Sequence, residues 1–153
     1  MSHPFDTLTP DLVLDAVESL GFLSDARVLA LNSYENRVYQ VGIEDAQPLI
    51  AKFYRPGRWS DAAILEEHAF TAELADCEVP VVAPMQHNDR TLFEHKGFRF
   101  TLFPRRGGHA PNLATSTSCI AWASYLAACM PWAPASRSST VRHWLWTTLA
   151  TPR

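Results

Sequence analysis

The sequence predicts an α+β fold, an antiparallel sheet with one or two helices laid on it. Three observations carry that expectation. A capped amphipathic stretch comes first, then three strand-like runs with short connections, then a second helical stretch followed by two more strand-like runs. Strands joined by short turns pair antiparallel, because a parallel pair needs a crossover of about a dozen residues or more. At ~100–200 residues per domain, a 153-residue chain allows one domain of this kind.

The elements follow in order. Thr9 can cap the first helix, and Pro10 suits its first position, where a missing N–H costs nothing. Leu12, Val13, Ala16, Val17 and Leu20 form its apolar stripe, and Gly21 ends it as a left-handed cap. Strands are expected at 27–31, 37–43 and 48–54, separated by turn-forming residues at 32–36 and 44–47. Pro56 and Gly57 break the third run. Ser60 can then cap a helix over 61–75, with Asp61 at its positive end. Further strands are expected at 79–82 and 91–103, the second bent into a hairpin at Lys96 and Gly97.

Composition excludes several functions. A net charge of −3 argues against a dedicated nucleic-acid or membrane-surface binder. No run of ~18 apolar residues offers a membrane span. The first residues lack the basic-then-apolar order of a signal peptide. Cys77, Cys119 and Cys129, with no paired spacing, point to a reducing compartment and no disulfide or zinc framework.

Two charged residues stand where the pattern wants apolar ones. Lys52 lies in the strand L-I-A-K-F-Y, and Glu67 shares a helix stripe with Ala63, Phe70 and Leu74. A half-buried charge persists only if paired, and a strand Lys with a Glu on the next helix are natural partners. The plainer alternative is a snorkelling Lys and a Glu at the stripe's margin.

The runs L-N-S-Y-E-N-R-V-Y-Q, A-K-F-Y-R-P-G-R-W, I-L-E-E-H-A-F, E-V-P-V-V-A-P and F-P-R-R-G-G occur in that order over 7–113. Together they resemble the bacterial stress response kinase A family, aminoglycoside-phosphotransferase-like protein kinases of the cytoplasm. The resemblance implies the antiparallel-sheet N-terminal lobe of a protein-kinase-like fold and ATP-dependent phosphorylation of protein Ser/Thr with Mg²⁺. It implies that Lys52 holds the ATP α/β-phosphates and that Glu67 ion-pairs with it. It implies that the 32–36 turn replaces a Gly-rich loop, with Ser33 near the phosphates. Phe100, Leu102 and Phe103 would lead to a hinge beside adenine at Pro104, or simply pack in the core. The partners implied are ATP and a protein substrate, with neither nucleic acid nor membrane.

The family's H-G-D-x-H-x-x-N catalytic loop and D-x-D metal motif occur nowhere in these 153 residues, and no Asp follows Asp89. The catalytic base and metal ligands are thus missing, and this chain alone is expected to be inactive. A small-molecule phosphotransferase fragment and a non-catalytic nucleotide-binding or interaction fragment remain the alternatives.

The composition breaks near Leu113. All 16 acidic residues lie in the first 94 positions, and 114–153 hold no Asp, Glu, Lys, Gly, Asn or Gln but four of the five Trp. Shifting the reading frame forces Gly from Trp122 and Ala123, Ala from Met130 and Pro131, and Gly from Trp132 and Ala133. These fall within an accessible string containing L-G-R-L-H, which resembles the family's linker helix. The expectation is a kinase-like lobe over 1–113 and a frameshifted, poorly ordered tail over 114–153. A genuine tail would instead offer Trp122, Trp132, Trp144 and Trp146 as a membrane or partner patch. A zinc role for Cys119, Cys129 and His143 lacks paired ligand spacing.

Overall fold

The computed structural model describes residues 4–107. The proposed boundary at 113 and the segment 114–153 lie outside the described residues. The elements are α1 (Pro10–Glu18), β1 (Ser24–Leu31), β2 (Arg37–Ile43), β3 (Leu49–Phe53), α2 (Asp61–Asp76), β4 (Phe93–His95) and β5 (Phe98–Pro104). The five strands form one antiparallel sheet in the order β1-β2-β3-β5-β4.

The expected caps are in place. Thr9 Oγ1 accepts the Leu12 N–H at 3.3 Å, and Ser60 Oγ accepts the Ala63 N–H at 3.2 Å. Past α1, Gly21 takes φ 88° and its N–H bonds the Glu18 carbonyl at 2.8 Å. Lys96 and Gly97, both at positive φ, make the two-residue turn between β4 and β5.

Two features depart from expectation. β1 starts three residues early, at Ser24, because a bulge separates its Ser24 and Val28 pairings. Inside the bulge Ala26 has φ 62°, and the Asp25 carboxylate accepts the Arg27 N–H at 2.9 Å. Asp25 lies over Gly42, where any side chain would overlap its carboxylate. The strand expected at 79–82 does not form. The Val81 N–H turns back to the Val79 carbonyl at 2.7 Å, and Pro80 and Pro84 have no N–H to give a ladder. That segment has no regular structure, and the Met85 N–H beyond it reaches the sheet, bonding the Leu102 carbonyl at 2.8 Å.

The alternation of β3 divides the molecule. Leu49, Ala51 and Phe53 join the core with Val13, Ala16 and Val17 of α1. Ile50 and Lys52 therefore face the other side, which is the side α2 covers. Phe100 and Leu102 are fully buried members of the core cluster, so they pack and do not line a cleft. Among the described residues no helix is long and apolar enough to cross a membrane.

Candidate functional site

The period of the strands sets one row of side chains across the sheet. Leu31 pairs with Val38, Val38 with Lys52, and Lys52 with Thr101. At ~4.8 Å between strands, the end of β1 is about 10 Å from Lys52. The 32–36 turn starts beside that row. Its base is tied to the chain beyond β3, where Asn36 Oδ1 accepts the Arg55 N–H at 3.2 Å and Arg58 Nε donates to Glu35 at 2.6 Å. Ser33 is half-buried on this turn, and the Tyr34 side chain is fully exposed beside it.

The pair expected from sequence is formed. Lys52 Nζ donates to Glu67 Oε1 at 3.1 Å, with the side chains 16% and 29% exposed. This is neither a surface pair nor a dry one, so water still reaches both heads. The ammonium also lies 4.7 Å from the Tyr54 ring centroid, over a π face that favours a cation. Half-buried Ile50 of the same strand, with Val38 of β2 and Phe103 of β5 beside it, occupies the same face. Among the described residues, no group of three His, Cys, Asp or Glu could hold a metal ion.

A second set of polar residues, Tyr54, His68 and Thr91, was not singled out in the sequence. The Tyr54 hydroxyl and His68 Nε2 are 2.9 Å apart, and His68 Nδ1 and Thr91 Oγ1 are 2.8 Å apart. Thr101 Oγ1 donates to the Thr91 carbonyl at 2.7 Å. Tyr54 and His68 are both buried. A neutral imidazole has one donor and one acceptor nitrogen, which suits two hydroxyl neighbours. The signal was present in the spacing: His68 is four residues after Ile64, and the buried residues of α2 are Ile64, His68 and Leu74. At about 100° per residue, Glu67 falls within the arc that those three residues span, between Leu74 and Ile64, as its spacing implied.

Burial pushes the Tyr54 phenol pKa far up, with Glu67 adding to the effect and Arg99 opposing it. Burial likewise lowers the His68 pKa below its ordinary 6.5, with Glu67 opposing and Lys52 assisting. The folded state therefore favours neutral His68. That stabilising contribution is complete above the unfolded-state pKa near 6.5 and is lost as the pH falls through the lowered folded-state pKa. Chemical unfolding from pH 7.5 downward should show stability falling below about 6.5, and less steeply in His68→Gln. Identical slopes in the two proteins would contradict a buried neutral histidine.

Comparison with known proteins adds the following. The phosphotransferase enzyme family (APH) matches residues 27–148. Stress response kinase A of Escherichia coli O157:H7 is 50% identical over 104 residues, which are 68% of this chain and 32% of that protein. The serine/threonine protein kinase RdoA of Salmonella typhimurium (strain LT2) is 48% identical over 104 residues, with the same shares. The chain thus spans 32% of the length of these curated relatives. The solved structure of amicoumacin kinase hAmiN, in complex with AMP-PNP, Ca²⁺ and Ami, is similar with a TM-score of 0.56 and 20% identity. That match covers 68% of this chain and 33% of hAmiN. The likeness shows the fold: the sheet and two helices match the N-terminal lobe of an aminoglycoside-kinase-like fold.

Proposed function

This chain belongs to the phosphotransferase enzyme family, and from that premise we propose that it carries the ATP-binding lobe of a stress-response serine/threonine protein kinase. One observation carries the reading: the 3.1 Å bond between Lys52 and Glu67, on the face of the sheet that α2 covers. A strand lysine oriented by a helix carboxylate is a fixed positive charge suited to phosphate oxygens. In this reading Lys52 holds the α- and β-phosphates and Glu67 holds Lys52. The turn bearing Ser33 covers the phosphates, tied down through Asn36 and Glu35. Val38, Ile50 and Phe103 supply an apolar floor for adenine. ATP supplies the phosphoryl group that is transferred.

The donor set fits nucleotide phosphate but not Mg²⁺. Residues 4–107 offer no cluster of metal ligands, and Glu67 is engaged with Lys52. Transfer itself needs a base and metal ligands, and the H-G-D-x-H-x-x-N and D-x-D motifs expected to carry them do not occur in the 153 residues. The identity of 50% to stress response kinase A favours a protein acceptor over a small molecule. A cytoplasmic setting agrees with cysteines that lack paired spacing, of which Cys77 is a free thiol. We further propose that 114–153 is out of frame, on the strength of the composition break. The family match continuing to 148 weighs against that, and the DNA after the Leu113 codon decides between them.

The nucleotide reading is tested by adding AMP-PNP to the isotope-labelled chain and following amide resonances. Shifts are expected at Ser33, Asn36, Lys52 and Phe103, with α1 unmoved. Shifts confined to other surfaces, or none at saturating nucleotide, would overturn it.

A further inference from the structure

Glu67 can meet Lys52 only if α2 is held at one rotation about its axis, and the buried apolar residues of α2, Ile64 and Leu74, lie outside the main core cluster. The core cluster shared by α1 and the sheet contains no residue of α2. The described polar bonds from α2 to the rest of the molecule are few. Glu67 reaches Lys52, His68 reaches Tyr54 and Thr91, and Asp61 at the first turn reaches Arg99. Glu67 and His68 are consecutive, so they leave the helix about 100° apart and together fix its rotation.

The contacts close into a circuit. Lys52 bonds Glu67; the next helix residue, His68, bonds the Tyr54 hydroxyl; and the Tyr54 ring lies under the Lys52 ammonium. Tyr54 is itself anchored to the sheet, its N–H bonding the Arg99 carbonyl at 2.9 Å. Thr91 is anchored through Thr101 of β5. His68 is 4% exposed, so a bond it loses is not replaced by bulk water.

We propose that His68 is a positioning residue for the Lys52–Glu67 pair. Held by Tyr54 on one side and Thr91 on the other, it sets the rotation of α2 and so the place where the Glu67 carboxylate meets Lys52. Its meaning for catalysis rests on the reading of that pair as the phosphate-holding one; the positioning itself does not.

The test uses the full chain, without nucleotide, and its two lysines. Trace acetic anhydride reports the reactivity of Lys52 against that of Lys96, an exposed lysine bonded to Asp15. Tyr54→Phe keeps the ring and removes the hydroxyl. His68→Asn retains a group at the Nδ1 position, for Thr91, and gives up the Tyr54 bond. His68→Gln retains a group at the Nε2 position, for Tyr54. Val17→Ala, in the α1 core, controls for lost stability alone. The Lys52-to-Lys96 ratio should rise about threefold in Tyr54→Phe and His68→Asn, the factor that an ion pair of modest strength represents. It should stay near wild type in His68→Gln and Val17→Ala. Ratios in Tyr54→Phe and His68→Asn equal to that of Val17→Ala would overturn the proposal, as would His68→Gln behaving like His68→Asn. Failure of AMP-PNP to bind the wild-type chain would overturn the nucleotide reading instead.

Discussion

Truncating Phe100 to alanine is expected to destabilise the chain by about 3–5 kcal/mol, enough to unfold much of it at room temperature. Phe100 is fully buried in β5 and lies in register with Phe53 of β3 on one side and Phe93 of β4 on the other. Its ring centroid is 5.2 Å from that of Phe53, stacked at 19°, and 5.6 Å from that of Phe93. Three strands therefore depend on one side chain, and β4, an edge strand of three residues, has little else to hold it. The loss combines the transfer term of the removed ring with the cavity it leaves. Phe100→Leu, which keeps most of the volume, should lose clearly less. Leu29→Ala, at a site 58% exposed, should stay within about 0.5 kcal/mol of wild type. Urea unfolding followed by far-ultraviolet circular dichroism measures all three. A Phe100→Ala loss no larger than that of Leu29→Ala would mean that the three-strand aromatic row is not the centre of the core.

What the sequence made legible was whatever local chemistry dictates. Both helix caps, the hairpin at Lys96 and Gly97, and the extents of β2 and α2 follow from side chains within a few residues of where they act. The strand expected at 79–82 does not form, because Pro80 has no N–H for a ladder and the Val81 N–H is taken by the Val79 carbonyl. The early start of β1 depends on Asp25 folding over Gly42, a contact between two strands that no local pattern announces.

The site divides in the same way. Lys52 and Glu67 were visible as charges in apolar frames, and they do meet. His68 was not visible as a functional candidate, because a histidine on an apolar stripe looks like ordinary packing. Its partners, Tyr54 and Thr91, lie 14 and 23 residues away in the chain. Only the fold brings a buried phenol, an imidazole and a threonine hydroxyl into one line.

The central claim, that Lys52 holds nucleotide phosphate, is tested most directly by an acyl phosphate of ATP. In that reagent a bound nucleotide delivers an acyl group: a lysine amine attacks the carbonyl, an amide forms, and the nucleotide leaves. The chain has only two lysines, so Lys96 is an internal reference. Its side chain is 57% exposed against 16% for Lys52, so random acylation favours Lys96. Directed acylation must reverse that order. A hydrogen bond to a charged group is worth ~1.5–3 kcal/mol, which is about a tenfold or greater preference for the lysine at the phosphates. The account predicts that Lys52 is acylated about tenfold faster than Lys96 and that excess ATP protects Lys52 alone. Faster labelling of Lys96, with ATP protecting neither lysine, would contradict it.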